Sequence, residues 1–268
     1  MKSPKIIIAC SLFSLTLIGN VHGQGGPRAE EYVRLAVEFN KNLDRDSAVE
    51  NYEKAAVEFQ RLGNVEQFVN AINQIGIILT RQDKYEKARA HLDKALSTGL
   101  PSLGADHLFV ATTYISLGVV SSAENKFDES LAYHDKALKI RISKLGRNHA
   151  EVATSYGNIG NVHFRKKDYG QAIKAHSAAM QIREKVFGKY SPEIVESYRG
   201  LGNAYREQKN YKKSLSYFEK ALENKLKQLG PGHKELARYY KNIGEVYLLA
   251  GDKVKADEFA RKAEAVEK

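Results

Sequence analysis

The sequence predicts an all-α fold, a solenoid of about six helix-turn-helix repeats, and three observations predict it. Glycine recurs at Gly76, Gly118, Gly160, Gly202 and Gly244, always 42 residues apart. Alanine keeps the same spacing at Ala95, Ala137, Ala179, Ala221 and Ala263. Around the two series, apolar residues fall at intervals of three and four, the period of a helix face, and a short polar turn divides each unit into two helices. A glycine inside a helix costs up to about 1 kcal/mol relative to alanine. Five copies in one register therefore need a packing reason, and close approach of two helices supplies it. Tyr114, Tyr156, Tyr198 and Tyr240, four residues before four of these glycines, are expected to fill the core beside the contact.

Residues 1–23 differ from the rest. Lys2 and Lys5 precede an apolar run from Ile6 to Ile18, and Val21-His22-Gly23 supplies short residues where a signal peptidase cuts. This is the pattern of a secretory signal peptide, and the run is shorter than the roughly 20 apolar residues of a membrane span. Export to the periplasm or out of the cell is expected, with the mature chain starting near Gln24. Cys10 is the only cysteine, and Ile7-Ile8-Ala9-Cys10 offers a lipoprotein box as the lesser alternative. The apolar run continues past Cys10, which favours simple export. Removal of the signal leaves no thiol and no disulfide.

A Gly-rich linker over 24–28 leads into the repeat domain, 29–268, with repeats near 29–65, 66–106, 107–148, 149–190, 191–232 and 233–268. The first repeat is divergent. Tyr32, Leu35, Ala36 and Phe39 stand on its first helix and Ala48, Tyr52 and Ala55 on its second, with Ala36 in place of the glycine. Terminal repeats depart in this way because one face meets water. Asp83, Asn125, Asp168, Asn210 and Asp252 are expected to cap the second helices, and Ser191-Pro192-Glu193 to open a first helix. His107, His149 and His233 share the linker register one or two repeats apart, a spacing that suits capping and not a shared metal ion. His134 and His176 fall where other copies have Leu92 and Phe218, and are expected to be hydrogen-bonded core residues.

The set of aromatic, aliphatic, Gly and aromatic residues, followed by small, bulky and small ones, resembles the tetratricopeptide repeat, whose usual period is about 34 residues. The extra length falls after the second alanine, in segments such as Leu138–His149 and Leu222–His233, which end at a glycine and an L-G-x-x-H linker. This longer form is similar to the repeats of kinesin light chains and their bacterial relatives. The resemblance covers roughly residues 29 to 268 and implies a right-handed superhelical solenoid whose first helices line a concave, peptide-binding surface.

Charge then suggests a partner. The net charge is +10, of which Lys2 and Lys5 contribute two. Residues 24–146 carry 16 basic and 17 acidic residues, whereas 147–268 carry 24 and 15, so the basicity belongs to the last three repeats. Such a field favours an acidic protein or peptide. Nucleic acid is not expected, because the recurrent tyrosines occupy core registers. The chain contains no phosphate loop, zinc helix or nucleophile elbow, so neither catalysis nor a cofactor is expected. On the first helices of the last two repeats the groove would present Arg199, Asn203, Arg206, Arg238 and Lys241; Arg199 and Asn203, four residues apart, share a helix face. Together with Asn242 they resemble part of the carboxylate clamp by which some tetratricopeptide domains hold a peptide C-terminus. The expectation is an interaction scaffold with an acidic segment in its groove. The alternative is an assembly protein that self-associates through the solenoid ends.

Overall fold

A computed structural model describes residues 26–267, which form twelve α-helices joined as six hairpins. The expected signal sequence, Cys10 and the start of the linker lie outside the described residues. The helices divide between two compact units that part at Lys144 and Leu145. The first unit contains α1 (Pro27–Lys41), α2 (Arg45–Arg61), α3 (Val65–Arg81), α4 (Tyr85–Leu103), α5 (Leu108–Ala123) and α6 (Phe127–Leu145). The second contains α7 (Ala150–Arg165), α8 (Tyr169–Phe187), α9 (Val195–Glu207), α10 (Tyr211–Leu229), α11 (Ala237–Leu249) and α12 (Lys253–Glu267). A 3₁₀ turn, Pro192–Ile194 or Lys234–Leu236, leads into α9 and α11.

The helix ends follow from local chemistry. Asp168, Asn210 and Asp252 each accept the backbone N–H three residues ahead and so cap α8, α10 and α12. Asp83 and Asn125 do not hold that position. They fall one residue earlier in the repeat register and take the left-handed turn conformation, with φ of 59° and 62°, where Lys167 and Lys209 stand in the later hairpins. Short polar side chains tolerate this region better than most. Ser191 does not cap either: its hydroxyl is buried and makes no hydrogen bond, and Pro192 starts the turn through its fixed φ alone. His107, His149 and His233 do cap, each accepting through Nδ1 the N–H two residues on at 3.2 Å.

The recurrent glycines mark the contact within each hairpin. A Cβ added at Gly76 would stand 2.6 Å from Leu92, at Gly118 2.6 Å from the His134 ring, at Gly160 2.8 Å from His176, and at Gly202 2.7 Å from Phe218. The residue sixteen places later thus fills the glycine notch, and the tyrosines pack alongside it. Tyr114 and Tyr198 are buried and lie against Tyr133 and Tyr217 of the second helix. Tyr156 is only half-buried, because Ala175 stands where Tyr133 and Tyr217 stand; Tyr240 is also half-buried, and Tyr239 beside it takes the buried place.

Within the second unit, Ile194, Val195, Leu201, Phe218, Leu236, Tyr239 and Ile243 are buried where successive hairpins meet. Each such side chain contributes about 1.5–3 kcal/mol when fully withdrawn from water. A lone hairpin would expose one side of this layer, so hairpins hold together by stacking. His134 and His176 are buried as expected, but the Nδ1 atom of His134 has no hydrogen-bond partner. Among the described residues no helix is long and apolar enough to cross a membrane.

Candidate peptide groove

In the second unit α7 contacts α9, α8 lies against both, and α10 packs between α9 and α11. This stacking sets the first helices α7, α9 and α11 side by side, so residues in one repeat register form a strip across them. Arg199, Asn203 and Arg206 lie at intervals of four and three along α9, and Arg238, Lys241 and Asn242 within one turn of α11.

The structure brings most of these residues together, but not as bare cations. Arg199 directs Nε and Nη2 at a single oxygen of Glu196, with Nε at 3.1 Å. Arg206 reaches across to α11, where Nη1 donates to Glu245 at 2.6 Å, and it also meets Glu207 on its own helix at 3.3 Å. Arg238 donates from Nη2 to the Tyr239 hydroxyl at 2.7 Å and stacks on that ring at 4.8 Å. Lys241 turns away from α9 and pairs with Glu267 on α12 at 2.5 Å. The basic strip is therefore a ladder of alternating charge, and Lys241 stands at its margin.

Burial and neighbouring charge act in opposite senses on Glu196. Desolvation pushes its carboxyl up, but Arg199, Arg238 and Arg183 pull harder, and the group stays below the usual carboxylate range. It is ionised at neutral pH and orients the arginine forks.

The asparagines differ from the arginines. Asn203 and Asn242 are half-buried and form no side-chain hydrogen bond with the described residues. Asn158 on α7 is alike, and Asn161, exposed, precedes Asn203 by 42 residues. Sequence reasoning missed Asn158, Asn161 and Arg183, although the repeat register that selected Asn203 also selects Asn161. Primary amides with free donors and acceptors beside fixed guanidiniums can hold a peptide backbone and a carboxylate together. The first unit carries a different feature, a small cleft over α1, α2 and α3 lined by Val33, Val37, Tyr52, Asn70 and Gln74. It contains none of the sequence-selected residues.

The tetratricopeptide repeat model matches this chain at residues 67–143, 114–184, 151–227 and 205–267, which together exceed half its length. The chain belongs to the tetratricopeptide repeat family, whose members generally mediate protein–protein interaction. Its fold is similar to that of BtubC (BKLC) from P. vanneervenii, at 20% identity and TM-score 0.69, over 88% of this chain and 90% of that one. It is also similar to a set of nearly identical TPR-like repeats from Podosopora anserina assigned to a kinesin light chain, at 14% identity and TM-score 0.66, over 74% and 94%. A tetratricopeptide repeat protein from Parabacteroides merdae aligns at 16% identity and TM-score 0.60, over 91% and 81%. These likenesses establish the long-repeat, kinesin-light-chain-like architecture. No curated protein matches.

Proposed function

We propose that this protein is a non-catalytic interaction scaffold, exported to the periplasm or out of the cell, whose second unit binds an acidic or carboxylate-bearing peptide segment across α7, α9 and α11. The observation that carries the reading is the set of half-buried amides without hydrogen-bond partners among the described residues, Asn158, Asn203 and Asn242, on the strip where Arg199, Arg206 and Arg238 are held in place by hydrogen bonds. Amides take the peptide backbone and guanidiniums its carboxylates. The internal acids keep the arginines ordered, which lowers the entropy lost on binding. Basic excess over residues 147–268 draws an acidic partner to the unit. Capture of exported proteins on immobilised mature protein tests the reading. A bound partner should elute with rising salt and be competed by an acidic peptide, whereas release by detergent alone would count against the groove.

A second reading rests on Leu248, Leu249 and Val254, which leave 60%, 51% and 79% of their surface exposed around the α11–α12 turn. An apolar patch there suits self-association through the end of the solenoid. Light scattering on Leu249→Glu separates the readings: an assembly held by this patch falls to monomer, and a groove binder is unchanged.

A further inference from the structure

The charges around Glu196 do not balance. Three guanidiniums act on this one carboxylate, those of Arg199, Arg238 and, from the second helix α8, Arg183. Arg199 is bound to it directly. The other two are held by neutral groups: Arg183 donates Nη1 to the Ser197 hydroxyl at 2.7 Å, and Arg238 donates to the Tyr239 hydroxyl at 2.7 Å. Ser197 and Tyr239 are fully buried and 42 residues apart, so the repeat places a hydroxyl under each arginine. A hydroxyl satisfies a donor but cancels no charge. Glu193 is the other acid acting on Arg183, and it is exposed on the turn before α9, where water weakens its pull. Positive charge therefore remains in excess around half-buried Arg183 and Arg199, where an unmatched charge is costly, while Arg238 is exposed to water.

Gly157 stands beside Arg183. Its register holds Ile115, Arg199 and Lys241 in other hairpins. At Gly157 the space of a missing Cβ is bounded by Arg183 alone, with Nη2 at 3.5 Å and Nη1 at 4.0 Å. The guanidinium thus occupies, on α7, the place that Arg199 supplies on α9, and the two reach the same strip from different helices.

We propose that Arg183, Arg199 and Arg238 form a seat for one carboxylate of the bound segment, with Glu196 as the internal carboxylate that orients the arginines and competes with the ligand for them. The inference rests on the groove reading and adds to it a defined anchor, including a residue outside the first helices. The carboxylate can come from an acidic side chain or from a peptide C-terminus.

The test uses the mature chain and three fluorescein-labelled probes followed by anisotropy: hexaglutamate, its C-terminal amide, and hexaglutamine with a free C-terminus. Binding of the amidated probe assigns the seat to side chains, and binding of hexaglutamine assigns it to the C-terminus, provided either is lost with Arg183. Arg183→Lys keeps the charge but removes the fork, and Gly157→Val fills the guanidinium's space without touching a charge. Each should weaken the bound probe about tenfold or more. Glu196→Gln removes the competing charge but keeps an acceptor for the Arg199 fork, and should tighten binding more than Glu245→Gln, which removes the same charge beside Arg206 outside the seat. Arg206→Gln, outside the seat, reports on the groove alone. If Arg206→Gln weakens the probe while Arg183→Lys and Gly157→Val bind as the parent does, the seat is refuted and the groove stands. If Glu196→Gln tightens binding no more than Glu245→Gln does, the cluster is structural and the seat is refuted, even where the Arg183 variant has unfolded. If no probe binds the parent protein, groove and seat fall together.

Discussion

His176 gives the fold of the second unit an acid limit that can be measured at one residue. Its ring is held between two first helices: a Cβ at Gly160 would stand 2.8 Å from it and one at Gly200 2.6 Å. Burial, then the charges of Arg183 and Arg199, push its pKa down to about 4, against a weaker upward pull from Glu196. The unfolded chain titrates near 6.5. Because the folded value is the lower one, the unfolded state takes up the proton first as pH falls. His176 therefore costs nothing above pH 6.5, and stability is lost between 6.5 and 4, at up to about 1.4 kcal/mol per pH unit and about 3 kcal/mol in all. Below pH 4 the folded ring is protonated too, and the loss levels off. His176→Phe places in the notch the residue that fills it one hairpin on, Phe218. Urea unfolding followed by far-UV circular dichroism at pH 7.5 and 4.5 should show the parent losing about 2–3 kcal/mol more than the variant over that interval. The imidazole proton resonance of His176 should titrate in the folded protein with a midpoint near 4. A midpoint near 6.5, or parallel loss of stability in parent and variant, would refute a neutral ring sealed between the glycines.

Other expectations follow from the same geometry. Gly160→Leu drives a branched side chain into the His176 ring, and such overpacking costs about 1–3 kcal/mol; an unchanged melting temperature would place the helix contact elsewhere. Arg199→Ala with Asn203→Ala should weaken an acidic peptide about tenfold or more, while Lys212→Glu with Lys213→Glu, on exposed positions at the start of α10, should do little. Arg199 also neutralises half-buried Glu196, so the first double variant should lose some stability as well, which a thermal melt will register. The export proposal predicts a mature chain beginning at or near Gln24 by mass spectrometry; an acylated product beginning at Cys10 would show the lipoprotein route instead.

The fold was legible because it is written in spacing. Gly76 to Gly244 and Ala95 to Ala263 report helix contacts repeated with the sequence, and five of the six hairpins follow from them; the divergent first follows from Tyr32, Ala36, Ala48 and Tyr52. Finer local chemistry was harder to read. Asp83 and Asn125 look like caps in composition, yet the register that places Lys167 and Lys209 in the left-handed turn places them there too. The candidate groove was half legible. Counting along α9 and α11 finds Arg199, Asn203, Arg206 and Arg238, since residues three or four apart share a face. It cannot tell that Lys241 folds back onto Glu267, because a long side chain chooses among acids that only the packed structure brings within reach.

Arg183 was invisible for a further reason: it lies on a second helix, whereas the resemblance gives the concave surface to the first helices. Gly157 has no side chain where Ile115, Arg199 and Lys241 have one, and Gly200 leaves room for the His176 ring where Ser116, Asn158 and Asn242 stand in the other hairpins. The recurrent glycines at 160 and 202 specify what every hairpin shares. The non-recurrent glycines at 157 and 200 stand beside Arg183 and the His176 ring, where one hairpin earlier Ile115 and Asn158 hold the glycine positions and Arg141 and His134 are buried in the same two registers. In a chain built by repetition, stacking accounts for the residues that recur, so it is the local departures, here Gly157, Gly200 and the excess of arginine around Glu196, that distinguish one stretch of groove from the next.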